Sequence, residues 1–453
     1  MNQHIHLIGI GGTGMGPLAK VFLEMGHKVS GSDLQPSETT DYLIKLGATV
    51  YFNHSAANVN GATRVIYSSA IPVQNPEIVA ARQKGIDVLH RSEVLAQLLN
   101  NRRGIAVSGA HGKTTVTSMI ALCLEMAGTD PTVLIGAHFA PFGPGAKYGR
   151  GEFVVAEADE SDGSFLRYRP EVSVVTSIEA DHLENYNGTF ESLIASYRRF
   201  LSNCQPGGLR LIGVDHPVAA SISQEYDGVT YGFSPGAHWR AEVLQLEQER
   251  SVFRVFRLGE FFADFVLNVP GRHNVSNALA CIAVCHHIGL SIPQMQRALR
   301  RFTGAKRRFE ILGTIGGALV VDDYAHHPTE VAAVIKAARE GWPTRRIVAV
   351  FQPHRYSRTK LLFEDFAQAF READVVIITD IYAPPPEKPI PGVSAAALAD
   401  RVRESNAPKN VYHIPQQEDV VPFLRDWLTA QDLVLVMGAG PISRVAHDLV
   451  KRT

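Results

Sequence analysis

The sequence predicts a three-domain α/β protein: an N-terminal Rossmann-like domain, a central P-loop-like domain on a mixed sheet, and a C-terminal Rossmann-like domain. Three observations carry this. At 453 residues the chain has room for about three domains, each able to bury its own core. Short apolar runs alternate with stretches of helical period in three successive series, the pattern of sheets flanked by helices. Two of those series open on glycine-rich turns directly after an apolar run, GIGGTGMG and SGAHGKTT.

In the first series, covering 1–101, the runs IHLIGI, HKVSGSD, ATVYF and RVIYSSAI read as strands, and PLAKVFLEMG and NPEIVAARQKG as helices. The polar NNRRG, residues 100–104, marks the boundary. The second series, 102–305, begins with GIAVSG and continues through EFVVAEADESD and VSVVTSIEADHLE. It adds a β-leaning patch around TYGFSP and SVFRVFRLGEFFADFVLNV, whose alternation predicts a hairpin and therefore a mixed sheet. GRHNVSNALACIAVCHHIGL reads as a helix entered through a glycine loop. The third series, 306–453, restarts near GAKRRFEIL and runs through ALVVDDYAHH, RIVAVFQPHR, ADVVIITDIYAP and QDLVLVMGAGP. APPPEKPIPG, 383–392, is the one proline-rich stretch and reads as an exposed loop.

A formal net charge of −1 provides no global field for nucleic acid or an anionic membrane, so phosphate must be bound locally. The four cysteines show no C-x-x-C spacing, no signal-like start precedes the first strand, and no apolar run is long enough to span a bilayer. The expectation is a soluble protein of a reducing cytosol. Cys281 and Cys285, four apart on an apolar helix, read as core residues.

The chemistry concentrates at predicted strand ends. Gly9, Gly11 and Gly14 spell G-x-G-x-x-G, and Asp33 lies about where a ribose-binding acid belongs. That turn grips a pyrophosphate, which NAD and a UDP-sugar both offer. SGAHGKTT has Val107 where a strict Walker loop has glycine. Gly109 and Gly112 still let backbone N–H groups face an anion, Lys113 adds a point charge, and Thr114 can reach a magnesium ion, so a nucleoside triphosphate is the expected ligand. Glu157 and Asp159 follow the strand FVVA, and His182 follows a further strand, converging on one carboxyl edge. In the third series, Asp322, Asp323, Tyr324 and His326 precede a helix starting at Pro328, and His354, Arg355 and Arg358 occupy the corresponding place one unit on. Arg308 in KRRF, at the domain junction, is a further candidate phosphate clamp.

GIGGTGMG, SGAHGKTT, EADESDGSF, EADHLENY, RHNVSNAL, VDDYAHHPTE, FQPHRYSRT and VMGAGP, in this order over the whole chain, resemble the motifs of the Mur ligases of bacterial cell-wall synthesis, in the branch that adds L-alanine. The resemblance implies a UDP-sugar domain at 1–101, an ATP-binding domain at 102–305, and a C-terminal domain at 306–453 that closes over both and admits the amino acid. It implies ATP-driven activation of the lactyl carboxylate of UDP-N-acetylmuramate and attack by L-alanine. Gly11, Gly12, Thr13, Gly14, Asp33, Ser68 and Ser69 would hold the UDP-sugar. Gly109, His111, Gly112, Lys113, Thr114, Thr115, His273, Asn277, Arg308 and Asp323 would hold ATP. Thr114, Glu157 and His182 would hold Mg2+, and Tyr324, His354, Arg355 and Arg358 would face alanine. Lys113, Glu157, His182, His326 and Arg355 would carry catalysis, in a monomer or weak homodimer that binds no nucleic acid and no membrane. Several family branches bridge magnesium with a carbamylated lysine about fifteen residues past the histidine; here no lysine occurs between His182 and Cys204, where Tyr197 occupies that neighbourhood, which agrees with the alanine-adding branch. The rivals are a recycling ligase that attaches a ready-made tripeptide, a folylpolyglutamate synthetase, and, from another class, an NAD-binding oxidoreductase.

Overall fold

The computed structural model of the chain describes residues 3–384, 387–405 and 410–451. Runs such as VAVF and VLVM are too apolar for a half-exposed sheet, and they form strands buried along their length. Three sheets result. The first is parallel, ordered β3-β2-β1-β4-β5, from His4–Ile8 (β1), Lys28–Ser32 (β2), Thr49–Tyr51 (β3), Arg64–Tyr67 (β4) and Asp87–His90 (β5).

The central sheet contains Arg103–Ser108 (β6), Thr132–Leu134 (β7), Ala146–Lys147 (β8), Phe153–Glu157 (β9), Val172–Val175 (β10), Leu209–Gly213 (β11), Val229–Gly232 (β12), Trp239–Glu247 (β13), Arg250–Arg257 (β14) and Glu260–Leu267 (β15). Its order is β15-β14-β13-β12-β11-β10-β6-β9-β7-β8, with β7 and β8 antiparallel and β6 parallel to both β9 and β10. The third comprises Glu310–Ile315 (β16), Ala318–Asp323 (β17), Arg346–Phe351 (β18), Val375–Ile378 (β19), Asn410–His413 (β20) and Asp432–Met437 (β21). It is ordered β16-β17-β21-β18-β19-β20, and β16 pairs antiparallel to β17 while the other pairs are parallel. The hairpin expected in SVFRVFRLGEFF turns through Leu258 and Gly259, both at positive φ (52° and 86°), the geometry of a tight two-residue connection.

Six strands escape the sequence reading: β5, β7, β8, β11, β13 and β20. Four of them are two to four residues long, too short to show a period, and β13 alternates with exposed polar residues. The helix Arg91–Asn100 is missed too, because its cap is His90, which accepts from the Ser92 N–H while Glu93 reaches back to the His90 N–H at 2.8 Å. Of the proline-rich loop, residues 385 and 386 lie outside the described residues; its described remainder is neither helix nor strand beyond an isolated bridge at Tyr382, just before it.

The chain packs into two compact units. One holds the chain up to Ala241 with Val255–Ala263 and Ser276–Leu299; the other holds Glu242–Arg254, Asp264–Val275 and the chain from Arg300 on. Within the first, buried Lys20 donates from the helix Met15–Glu24 to the carbonyls of Phe142 and Ala146, both at 2.6 Å, tying that helix to β8.

Beneath the first sheet lies a buried carboxylate. Glu77, fully enclosed, accepts from Ser32 Oγ and Asn58 Nδ2, both at 2.6 Å, lies 3.0 Å from His54 Nδ1, and faces His6 Nε2 at 3.5 Å. Burial alone would raise its pKa, but the interactions with His6, Ser32 and Asn58 outweigh it and hold the carboxyl at about 2. Because the folded pKa lies below the unfolded one, the contribution is present above about pH 4.5 and is lost as pH falls toward 2; the shift corresponds to about 3 kcal/mol. Glu77→Gln is therefore expected to melt well below the parent at pH 7, with the gap narrowing by pH 3. Parallel melting curves across that range would contradict this.

Candidate active site

β6 ends at Ser108, and the chain turns through Gly109 and Gly112 into the 14-residue helix Lys113–Met126. Gly112 takes φ +81°, and a Cβ there would sit 2.4 Å from Asn277 Oδ1, so only glycine allows the loop to lie against that side chain. The loop is pinned to the chain after β10: Ala110 N–H donates to Ser177 O at 2.9 Å and His111 N–H to Ser177 Oγ at 3.2 Å. The first N–H groups of the long helix have no intrahelical acceptor and present positive potential at the loop, with Thr114 and Thr115 buried in that turn.

Lys113 Nζ donates to Gly109 O at 2.5 Å and to Glu160 Oε1 at 2.7 Å. Burial works against its charge, but Glu160 and Asp159 outweigh burial and keep the ammonium above the usual lysine range. Parallel pairing of β6 with β9 sets Glu157 opposite Val107, at the mouth of the loop, where Glu157 Oε1 accepts the Gly136 N–H at 2.8 Å. His182, at φ +55°, follows β10 with Asp181 Oδ2 3.5 Å from its Nε2. His111 Nε2 stands 3.3 Å from Glu179 Oε2. Adjacent strands β9, β6 and β10 thus bring Glu157, Lys113 and His182 to one carboxyl edge, as expected. Tyr197 is buried edge-on against Phe165, 5.5 Å between centroids, and fills core space.

The first glycine turn follows β1. Gly11 N–H donates to Asp33 Oδ2 at 2.9 Å, and Leu34 N–H to Asp33 Oδ1 at 2.7 Å. A Cβ on Gly11 would lie 2.9 Å from the same carboxylate, so Asp33 shapes the turn as well as standing beside it. Beyond Gly12 and Thr13, a Cβ on Gly14 would meet Arg91 Nη1 at 2.6 Å. Arg91 Nη2 lies 3.8 Å from Asp159 and 3.9 Å from Asp162. Ser69 Oγ, next to Ser68 after β4, donates to Asp162 Oδ2 at 2.7 Å and lies 3.1 Å from His90 Nε2. Burial opposes ionisation of Asp162, but hydrogen bonds from Ser164 and Ser69 hold it below the usual carboxylate range. Sequence reasoning misses Arg91, His90, Glu160 and Asp162; Arg91 directly follows β5, so recognising that strand would have exposed it.

The second unit gathers the C-terminal residues. Asp323, at the end of β17, accepts the Phe309 and Ala325 N–H groups, both at 2.7 Å. Burial pushes its carboxyl up to about 6, against the pull of Arg308. Both its oxygens serve the backbone, so it shapes the loop that carries Arg307, Arg308 and Tyr324. The Arg307 and Arg308 guanidiniums lie 4.9 and 5.3 Å from the Tyr324 ring centre. His326 Nδ1 lies 2.9 Å from Tyr324 O, which fixes the proton on Nδ1 and leaves Nε2 as acceptor. Its enclosure lowers its pKa to about 4, so the ring is neutral at physiological pH. His354 packs 5.9 Å from His326 and 5.8 Å from Tyr382, and buried Arg358 reaches His354 Nδ1 at 3.3 Å. Arg355 takes φ +72° and donates its N–H to Tyr382 O at 2.8 Å. His273 lies one turn before Asn277 on the helix Arg272–His287.

Family comparisons match three consecutive stretches: the Mur ligase family catalytic domain over residues 4–103, the Mur ligase middle domain over 107–285, and the Mur ligase glutamate ligase domain over 307–440. The UDP-N-acetylmuramate--L-alanine ligase of Symbiobacterium thermophilum is 48% identical, covering 99% of this chain and 94% of its own length. Its namesake in Pelotomaculum thermopropionicum is 45% identical, covering 99% and 97%. Among solved structures, the UDP-N-acetylmuramate-alanine ligase of Thermotoga maritima superposes with a TM-score of 0.84 at 29% identity, over 99% of this chain and 98% of that one. A murein peptide ligase from Psychrobacter arcticus shares the fold at TM-score 0.69 and 24% identity, over 99% and 98%. With three family domains in register and near-complete coverage by these relatives, the chain belongs to the Mur ligase family.

Proposed function

We propose that this protein is the ATP-dependent ligase that joins L-alanine to the lactyl carboxylate of UDP-N-acetylmuramate in peptidoglycan synthesis, through an acyl phosphate, releasing ADP and phosphate. The carrying observation is a pair of anion cradles on one chain, GIGGTGMG and SGAHGKTT, in a sequence 48% identical to an L-alanine-adding ligase over 99% of its length. Residues 1–101 serve as the UDP-sugar domain, 102–305 as the ATP domain and 306–453 as the amino-acid domain.

In the first step the γ-phosphoryl group passes to the lactyl carboxylate. Little of that chemistry is covalent work for the protein; positioning and charge neutralisation dominate. The helix N-terminus at Gly112–Thr115 receives the phosphates, and Lys113 exchanges its Glu160 partner for a β- or γ-phosphate oxygen. Thr114 and Glu157 are hard oxygen donors suited to Mg2+, with His182 beside them. When bound, the ion spreads the negative charge of the transferring phosphoryl group. His273 and Asn277 serve the adenine side, and Arg308 a phosphate. In the second step the alanine amine attacks the acyl phosphate; Tyr324, Arg355 and Arg358 take the amino acid, and the neutral Nε2 of His326 accepts a hydrogen bond from its amine. The enzyme works in the cytosol as a monomer or weak homodimer, supporting cell shape and division.

Incubating the protein with ATP, Mg2+, L-alanine and UDP-N-acetylmuramate is expected to yield UDP-N-acetylmuramoyl-L-alanine by mass; ADP without amide product would overturn the proposal. Arg91, between the third glycine and two carboxylates, is the group best placed to neutralise the sugar nucleotide. Arg91→Ala should raise KM for UDP-N-acetylmuramate about tenfold to a hundredfold with a smaller effect on kcat, and an unchanged KM would refute that role.

A further inference from the structure

Three of the four cysteines, Cys123, Cys281 and Cys285, meet in the first unit, and the ligation described above uses none of them. Cys123 lies on the phosphate-loop helix, and Cys281 and Cys285 lie one turn apart on the helix that carries Asn277. Cys123 Sγ is 3.7 Å from Cys281 Sγ, and Cys281 Sγ is 3.8 Å from Cys285 Sγ. All three side chains are at most 1% exposed, and their surroundings on both helices, 119–124 and 278–285, are buried and apolar. No fourth His, Cys, Asp or Glu joins the group among the described residues. Cys204 sits elsewhere, its thiol against the carbonyls of Glu171 and Leu209.

Such a site is selective by coordination number and by charge. Zinc in a structural site takes four protein ligands, and only three are offered. A divalent ion on three thiolates would also leave a net negative charge in an apolar interior, at a cost of several kcal/mol. A trivalent, three-coordinate thiophile leaves none. We propose that these three thiols form a site for a trivalent metalloid hydroxide, of which arsenous acid is the simplest. As(OH)3 reacts with three thiols to give As(SR)3 and three waters: three As–O and three S–H bonds break, three As–S and three O–H bonds form, and nothing is oxidised or reduced. The reagent and product are both uncharged, so the exchange requires no buried ion. The product staples the phosphate-loop helix to the helix of Asn277, one turn from that residue. Burial holds the Cys281 thiol well above the ordinary thiol range, which keeps it protonated before exchange.

Native mass spectrometry of the full chain with arsenous acid tests this. One adduct per chain is expected, heavier by one arsenic less three hydrogens, and stripped by excess small dithiol. It should persist in Cys204→Ala and vanish at the same concentration in Cys123→Ala and in Cys285→Ala, since removing one arm of a three-point chelate costs at least about a hundredfold in affinity. Failure of the parent chain to form the adduct, or survival of a three-hydrogen-loss adduct in Cys123→Ala, would overturn the site.

Discussion

Lys113→Ala is expected to abolish ligation, with a loss on the order of a thousandfold or more, while UDP-N-acetylmuramate still binds with near-parent affinity. The lysine is half-buried at the loop, paired with Glu160, where a charge-assisted contact to a transferring phosphoryl group is worth several kcal/mol in the transition state. Its removal also leaves Glu160 without its cation, so the first unit must be shown to remain folded. Calorimetric titration with the sugar nucleotide does this, because the turn at Gly11 is held by Asp33 and Lys113 by Gly109 and Glu160. A variant that retained a tenth of parent activity would defeat the ATP-loop assignment. Titrating the parent with NAD under the same conditions should give no heat, and binding of NAD in preference to the UDP-sugar would revive the oxidoreductase reading.

Glu157→Gln should lower the ligation rate by about a hundredfold and raise the Mg2+ concentration needed for half-maximal rate. The amide keeps the shape and can still accept the Gly136 N–H, but it withdraws the formal charge at the end of β9. An unchanged magnesium dependence at a reduced rate would assign Glu157 to shaping the Gly136 strand end instead of to the ion.

Much of this site is legible in the sequence because its parts are local. An apolar run that ends in glycine and lysine announces strand, turn and helix within a dozen residues, so Lys113, Glu157 and Asp323 fall at strand ends without knowledge of the sheet order. What is not legible depends on long-range register or on short elements. Arg91 follows a four-residue strand that shows no period, and its partners Asp159 and Asp162 lie some seventy residues away. Glu160 reads as one more acid in EADESD, and only the fold reveals that it pairs with Lys113. Asp323 shows the converse: its residue type suggests a ligand contact, yet its oxygens hold backbone amides, an arrangement set by the turn at Phe309 with its positive φ of 49°. Likewise Cys281 and Cys285 read as core, and it takes the crossing of two helices to bring Cys123 to them.

The central claim is the identity of the joined amino acid, and one measurement tests it most directly. Phosphate release is followed with ATP, Mg2+ and UDP-N-acetylmuramate against a panel of L-alanine, glycine, L-serine, D-glutamate and the preformed cell-wall tripeptide, each with and without the sugar nucleotide. Buried Arg358 reaches His354 Nδ1 at 3.3 Å, and His354 packs 5.8 Å from Tyr382, at the end proposed to take the amino acid. The predicted result is phosphate release that requires the sugar nucleotide and has its highest kcat/KM with L-alanine; highest kcat/KM with the tripeptide, or release independent of UDP-N-acetylmuramate, would contradict it.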